Sequence, residues 1–288
     1  MRTGLLAVLI IVGVCFATYV GADLYRHWDT VRHSSAPTIG VALSGMLIFF
    51  LSTLGVSDFA VSTAIYTPTK WVSVKRLPGT LNVQGVVPFV LMAVGFIGVV
   101  KVDPVTLLAL VAAQVVGAVL SPRFVVKLPE RTIKRWIACG LIIAGLFILA
   151  GRLHLIAGNG TALRLSGLSL IVGCGLQVLY GALNNIGIGS YALTTATIYA
   201  LGLNPLVAFP IMMSGSALSV AAGSSLFVYY GDYDRKVASI ASLFGVVGVL
   251  VGLMVFAHFN VAIVSWLVIG VLFYTSFNLF YSLSRTRH

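Results

Sequence analysis

Asp58 is the residue most at odds with its surroundings. It lies inside the apolar run Thr38–Thr67, whereas the other 24 charged side chains fall between apolar runs or at their ends. A carboxylate at membrane depth is costly and by default marks a transport pathway or a proton relay. It is also a good helix N-cap, because carboxylates favour helix N-termini, and one residue can serve both ends. A carboxyl withdrawn from water can hold a proton, so Asp58 is a candidate coupling group for the movement of an anion. Asn184 and Asn185 offer two adjacent carboxamides, donors for an oxyanion that carry no fixed charge. Ser57, Ser62, Thr63, Ser190, Thr194 and Thr195 add hydroxyls, although such groups in membrane helices also bond their own backbone. Asn82 and Gln84, and likewise Ser214 and Ser216, lie one to two turns into the next helices and extend the candidate binding set. Half-helices beginning at Ser57 and Ser190 would aim free N–H groups at an anion.

These positions come in pairs. Leu54 to Ile65 reads LGVSDFAVSTAI, and Ile186 to Thr197 reads IGIGSYALTTAT. Gly55/Gly187, Ala60/Ala192, Thr63/Thr195 and Ala64/Ala196 are identical, and the same offset pairs Pro78 with Pro210. Each copy is a long apolar run broken by glycine and followed by small hydroxyl residues. Paired interruptions of this kind point to a transport site at the interface of two repeats. The plainer reading is two kinked helices whose Ser and Thr satisfy freed backbone groups.

The elements that must position these residues are membrane helices. The chain has 288 residues, 59% hydrophobic and 9% charged, with a mean hydropathy of +1.05, against about 25% charged in soluble domains. A net charge of +11 would suggest nucleic acid in a soluble protein. Here the basic residues sit in short loops, where orientation in the membrane explains them, and no nucleic-acid partner is expected. Spans of about 20 apolar residues are expected at Gly4–Gly21, Thr38–Thr67 (broken near Gly55), Gly79–Val100, Pro104–Leu120, Ile133–Ala150, Leu165–Tyr199 (broken near Gly187), Pro205–Tyr230, Val237–Ala257 and Val261–Leu283. Trp71, Trp136, Tyr229, Tyr230 and Trp266 near segment ends suit interfacial anchors. Gly4–Val20 reads as a retained helix, not a signal peptide, since Ala-x-Ala is missing near its end.

Topology turns on the two broken segments. If both cross fully, the 18 Lys and Arg divide nine against nine and set no orientation. If each folds back as a re-entrant hairpin, 14 of the 18 share one side, and the positive-inside rule then puts the N-terminus outside and the C-terminus inside. Each repeat crosses three times, so the two copies are inverted. The expected fold is therefore an all-α polytopic membrane protein of two inverted repeats, each a broken or re-entrant helix plus three transmembrane helices, preceded by one extra N-terminal helix. Residues 1–36 form that helix and a basic linker, 37–151 repeat 1 and 152–288 repeat 2, in one integral membrane domain. The two breaks are expected to share one cavity.

The segment GAVLSPRFVVKLPERTIKRWIACGLIIAGLFILAG (Gly117 to Gly151), together with the two broken helices, resembles the sulfite exporter TauE/SafE family of permeases. The second copy, GALNNIGIGSYALTTATIYALGLNPLVAFP, follows that family's glycine-rich break through Gly187 and Gly189, while the first has Ser57 and Asp58 where glycines are common. The resemblance spans about residues 38 to 283 and implies transport of small sulfur-containing anions, such as sulfite or organosulfonates, across the cell inner (plasma) membrane. The expected function is a secondary transporter surrounded by membrane lipid; the alternative is an anion channel, or a transporter of another small organic acid. An enzyme is not expected, because no His–Asp–Ser, HExxH or paired-carboxylate pattern lies at membrane depth. No cofactor is expected: GxxxxGK[ST] is missing. No metal is expected either, since His154 and His258 have no partners at ligand spacing and Cys15, Cys139 and Cys174 are scattered and read as small buried hydrophobes.

Overall fold

The computed structural model describes residues 2–73, 75–124, 160–184 and 190–257, with single positions in 135–153 and 266–283. The expected spans Ile133–Ala150 and Val261–Leu283, the glycines Gly187 and Gly189, and His154 and His258 therefore lie largely or wholly outside the described residues. What is described is helical: α1 (Arg2–Arg26), α2 (Trp28–Arg32), α3 (Thr38–Thr53), α4 (Asp58–Thr69), α5 (Leu77–Val99), α6 (Pro104–Phe124), α7 (Gly167–Asn184), α8 (Tyr191–Ala200), a 3-10 turn (Pro205–Val207), α9 (Ala208–Tyr230) and α10 (Arg235–Ala257). Among the described residues, five helical stretches are long and apolar enough to cross a membrane: Thr3–Arg26, Leu77–Val99, Gly167–Asn184, Pro205–Tyr230 and Arg235–Phe256. This architecture is compatible with a helical membrane protein. Helix α1 runs beyond the expected Gly21, which brings Asp23 onto its last turns.

The first break has a clear local cause. Gly55 takes φ +93, a left-handed conformation that side chains with a Cβ resist. Its N–H bonds Ser52 O, and the next N–H, of Val56, reaches back to Leu51 O. That pair of bonds is a Schellman motif, which satisfies the last carbonyls of α3 and stops it. The same motif ends α8 at Gly202 (φ +81) and α9 at Gly231 (φ +68). Lys70, which the repeat pairs with Gly202, holds φ +56 after α4 without a glycine.

The chain forms two compact units, each drawn from both halves of the sequence: 1–99 with 213–258, and 100–212 with 259–288. In the first unit α3 lies along α10. Gly45 permits this closeness, since a Cβ there would meet the Ala241 backbone at 2.6 Å, and one at Gly248 would run into the Met46 carbonyl. The Phe49 ring covers Gly245 and meets Phe89 edge-on at 6.0 Å, and Phe96 packs edge-on against Phe256 at 4.8 Å. Small residues serve membrane helices in this way because dispersion at close range, not water exclusion, holds them together.

In the second unit α7 lies along α6. A Cβ on Gly117 would run into the Val178 backbone, and one on Gly181 into the Gln114 carbonyl. These contacts repeat those of the first unit. The offset that pairs Leu54 with Ile186 also pairs Met46 with Val178 and Phe49 with Gly181. To within a single position it pairs Gly117 with Gly248 and Gln114 with Gly245. Capping repeats too. The Asp103 carboxylate accepts from Thr106 N–H at 2.9 Å at the start of α6, and the Asp234 carboxylate from Val237 N–H at 2.9 Å at the start of α10. Both are Asp N-caps, again separated by the repeat offset to within a single position.

Candidate functional site

The start of α4 places Asp58 in the interior, 3% exposed and the one buried charged side chain among the described residues. Its carboxylate draws on the backbone N–H groups of Asp58 and Phe59, as a first-turn carboxylate does. Oδ2 nevertheless has no hydrogen-bond partner. An unsatisfied buried oxygen in a native fold calls for an explanation. Capping thus accounts for part of this carboxylate and leaves one oxygen over.

One turn further along α4, Ser62 meets Gln84 of α5. The Gln84 amide donates to Ser62 Oγ at 2.9 Å, and the Tyr66 hydroxyl donates to Gln84 Oε1 at 3.0 Å. All three side chains are fully buried. The structure thus joins two expected site residues, Ser62 and Gln84, through a third, Tyr66, that sequence reasoning missed. Tyr66 stands four residues after Ser62, and that helical spacing was the available signal. Other candidates go elsewhere. Thr63 is exposed, because the α4 face that buries Ser62 and Tyr66 turns Thr63 away. Asn82 is buried but donates to Pro78 O at 2.8 Å, in its own preceding turn. Ser57 is half-buried. On α9, Ser214 and Ser216 are buried and neither Oγ has a partner.

The second unit has buried polar groups of its own. Ser190 precedes α8 without capping it through its side chain. It accepts instead from the Gln114 amide of α6 at 3.2 Å, and Gln114 Oε1 has no partner. Gln177 of α7 donates to Thr194 Oγ1 at 3.3 Å, and the Tyr180 hydroxyl lies 2.6 Å from Thr197 Oγ1. Thr195 bonds the Tyr191 carbonyl at 2.9 Å, the backbone role open to such hydroxyls. Asn184 is buried at the end of α7, and Asn185 lies outside the described residues. Gln114 and Gln177 were not among the sequence candidates, although a glutamine in an apolar run is a usable signal.

Helices α4 and α8 thus each carry an inward hydroxyl, Ser62 or Thr194, held by a buried glutamine. In the first unit the glutamine comes from the following helix, and in the second from the preceding one. Without a partner among these groups are, in the first unit, Asp58 Oδ2 and the hydroxyls of Ser214 and Ser216, and, in the second, Gln114 Oε1; a carboxylate oxygen can take up a proton, and each of the others can hydrogen-bond a small polar solute. Among the described residues no three His, Cys, Asp or Glu side chains are grouped to hold a metal ion.

The long apolar helices and the polar groups buried among them are compatible with a helical membrane protein. Compared with protein families, with curated proteins and with solved structures, the chain finds no match.

Proposed function

We propose that this chain is a secondary transporter of small anions, of the sulfite and organosulfonate class that the resemblance to the TauE/SafE permeases implies. In this reading it resides in the cell inner membrane, is not an enzyme, and couples transport to protons through Asp58. Its architecture is two inverted repeats, 37–151 and 152–288, each with a re-entrant broken helix, and α1 stands before them.

The observation that carries the reading is Asp58 itself: a buried carboxylate at a helix break, with Oδ2 left unpartnered. A group so placed costs stability, and a proton that comes and goes gives it a use. Supporting it is the recurrence, at the repeat offset to within a single position, of the left-handed residue after each second limb, of the Asp caps and of the α3–α10 and α6–α7 contacts. An N-terminal half-helix with neutral carboxamides nearby, as at Ser190, suits an anion without binding it too tightly to release.

The experiment is flux into liposomes containing the purified chain, with sulfite, an alkyl sulfonate and a monocarboxylate compared. Saturable uptake with counterflow of the sulfur anions is the expected result. Unsaturable flux would make the chain a channel, and equal rates for all three anions would remove the sulfur-anion class.

A further inference from the structure

Within the first unit α1 leans on α5, where Gly13 lets Val90 approach so closely that a Cβ would meet it at 3.0 Å. Toward α9 it leaves a groove of about 410 Å³, within the ~300–1,000 Å³ range of ligand sites. One wall is Val12, Cys15, Phe16 and Tyr19 of α1; the other includes Ala222 and Ser225 of α9. Ser225 spends its hydroxyl on the Ala221 carbonyl at 2.9 Å, so the lining is almost wholly apolar. The cysteine expected to be buried here is exposed in the groove. From Val12 to Tyr19 the groove runs about 10 Å along α1.

Beyond Tyr19 the same face of α1 is charged. Asp23, one turn beyond Tyr19, accepts from the Tyr233 hydroxyl at 2.6 Å and from Arg235 Nε at 2.7 Å. These bonds tie the top of α1 to the connection between α9 and α10. The Arg235 guanidinium thereby neutralises Asp23 and leaves Arg26, on the same face of α1 one turn further, as an exposed cation without an ion pair among the described residues. Tyr229 and Tyr230 end α9 at this level, both 74% exposed, as aromatic side chains at a membrane interface are.

We propose that this groove is a binding site for an anionic glycerophospholipid, with one acyl chain lying between α1 and α9 and the phosphate headgroup at Arg26. An apolar slot between two helices of membrane-crossing length, with Arg26 about 10 Å beyond its Tyr19 end on the same face of α1 and unpaired among the described residues, complements such a lipid in both parts. Basic side chains at the ends of membrane helices recognise anionic headgroups by charge. The site is independent of the transport reading.

The test uses the full chain in detergent, with phosphatidylglycerol and phosphatidylcholine of identical acyl chains, and native mass spectrometry to count bound lipid. The wild type is expected to retain one phosphatidylglycerol with about fivefold preference, the contribution of one basic side chain at an anionic surface. Ala222→Trp fills the slot and should release both lipids, whereas Arg26→Gln should keep binding and lose the preference. In the unmodified chain, phosphatidylglycerol should slow maleimide labelling of Cys15 several-fold and leave Cys174 unaffected. The proposal is overturned if Ala222→Trp retains phosphatidylglycerol like the wild type, if the wild type shows no preference, or if Cys15 labels equally with either lipid. It is equally overturned if the wild type is a dimer that Ala222→Trp splits, since the groove then holds a second copy of the chain.

Discussion

Replacing Asp58 by Asn isolates the proton from the site. The substitution keeps the shape and most of the capping ability, so the loss of stability should stay under about 1 kcal/mol. Its effect on coupling is large and has a calculable size. Asp58 is the one buried charged side chain among the described residues, and its counterpart in the second copy of the repeat is the neutral Ser190. One titrating group sets one proton per cycle. A pH difference of one unit is worth about 1.36 kcal/mol per proton, a factor of ten in an equilibrium ratio. For a monoanion moved with one proton, liposomes with a one-unit gradient should therefore accumulate substrate about tenfold with the wild type. Asp58→Asn should bring the two sides to equality while still exchanging labelled substrate. The assay is the steady-state ratio of labelled anion, with the pH gradient then collapsed by an ionophore. A mutant that still accumulates tenfold would reduce Asp58 to a helix cap. A wild-type ratio near a hundredfold would demand a second proton and break the one-group argument.

Three further predictions concern the frame that holds the site. Gly248→Leu should destabilise the chain by about 1–3 kcal/mol by overpacking against the Met46 backbone, whereas Gly98→Leu, which meets open space, should leave the midpoint of unfolding in mixed micelles nearly unchanged. Lys70→Gly should raise that midpoint, relieving about 1 kcal/mol of left-handed strain, and Gly202→Ala should lower it by a similar amount; no change in either would show that the φ values +56 and +81 carry no strain. Asp103 is held below the usual carboxylate range, chiefly by the Thr106 N–H, so its stabilisation is fully present above about pH 4 and is lost as pH falls through its depressed value. Asp103→Asn should therefore lower the melting temperature at neutral pH and remove part of the acid-side decline, read from melting curves between pH 3 and 7.

The segments were legible because what defines them is local. A run of apolar residues long enough to cross a bilayer, ended by charge or glycine, needs no tertiary contact to be recognised, and most described helices begin or end within a few residues of the expected bounds. Gly55 could be read as a stop for the same reason: its left-handed φ is a property of one residue. The repeat offset was visible in the two break motifs. Its continuation through Asp103 and Asp234 was not, because the spacing there slips by a single position and the shared feature is a cap, not a shared sequence.

Which face of each helix turns inward was decided only by the tertiary structure. A helix that is apolar all round has no polar stripe to mark its solvent side. Thr63 and Ser62 were thus equal candidates by type, and packing buries one and exposes the other. The same degeneracy hid Tyr66, Gln114 and Gln177, whose partners sit 17 to 76 residues away along the chain. It also hid the exchange by which α3 of one half packs on α10 of the other, and α7 on α6. Hydropathy, glycine conformation and charge are properties of single residues and short runs, so the described spans, the stop at Gly55 and the lone buried carboxylate at Asp58 could be read before the fold was known. The partners of the buried polar groups, and the one oxygen of Asp58 left without any, depend on distances between helices far apart in sequence, and only the folded chain sets those.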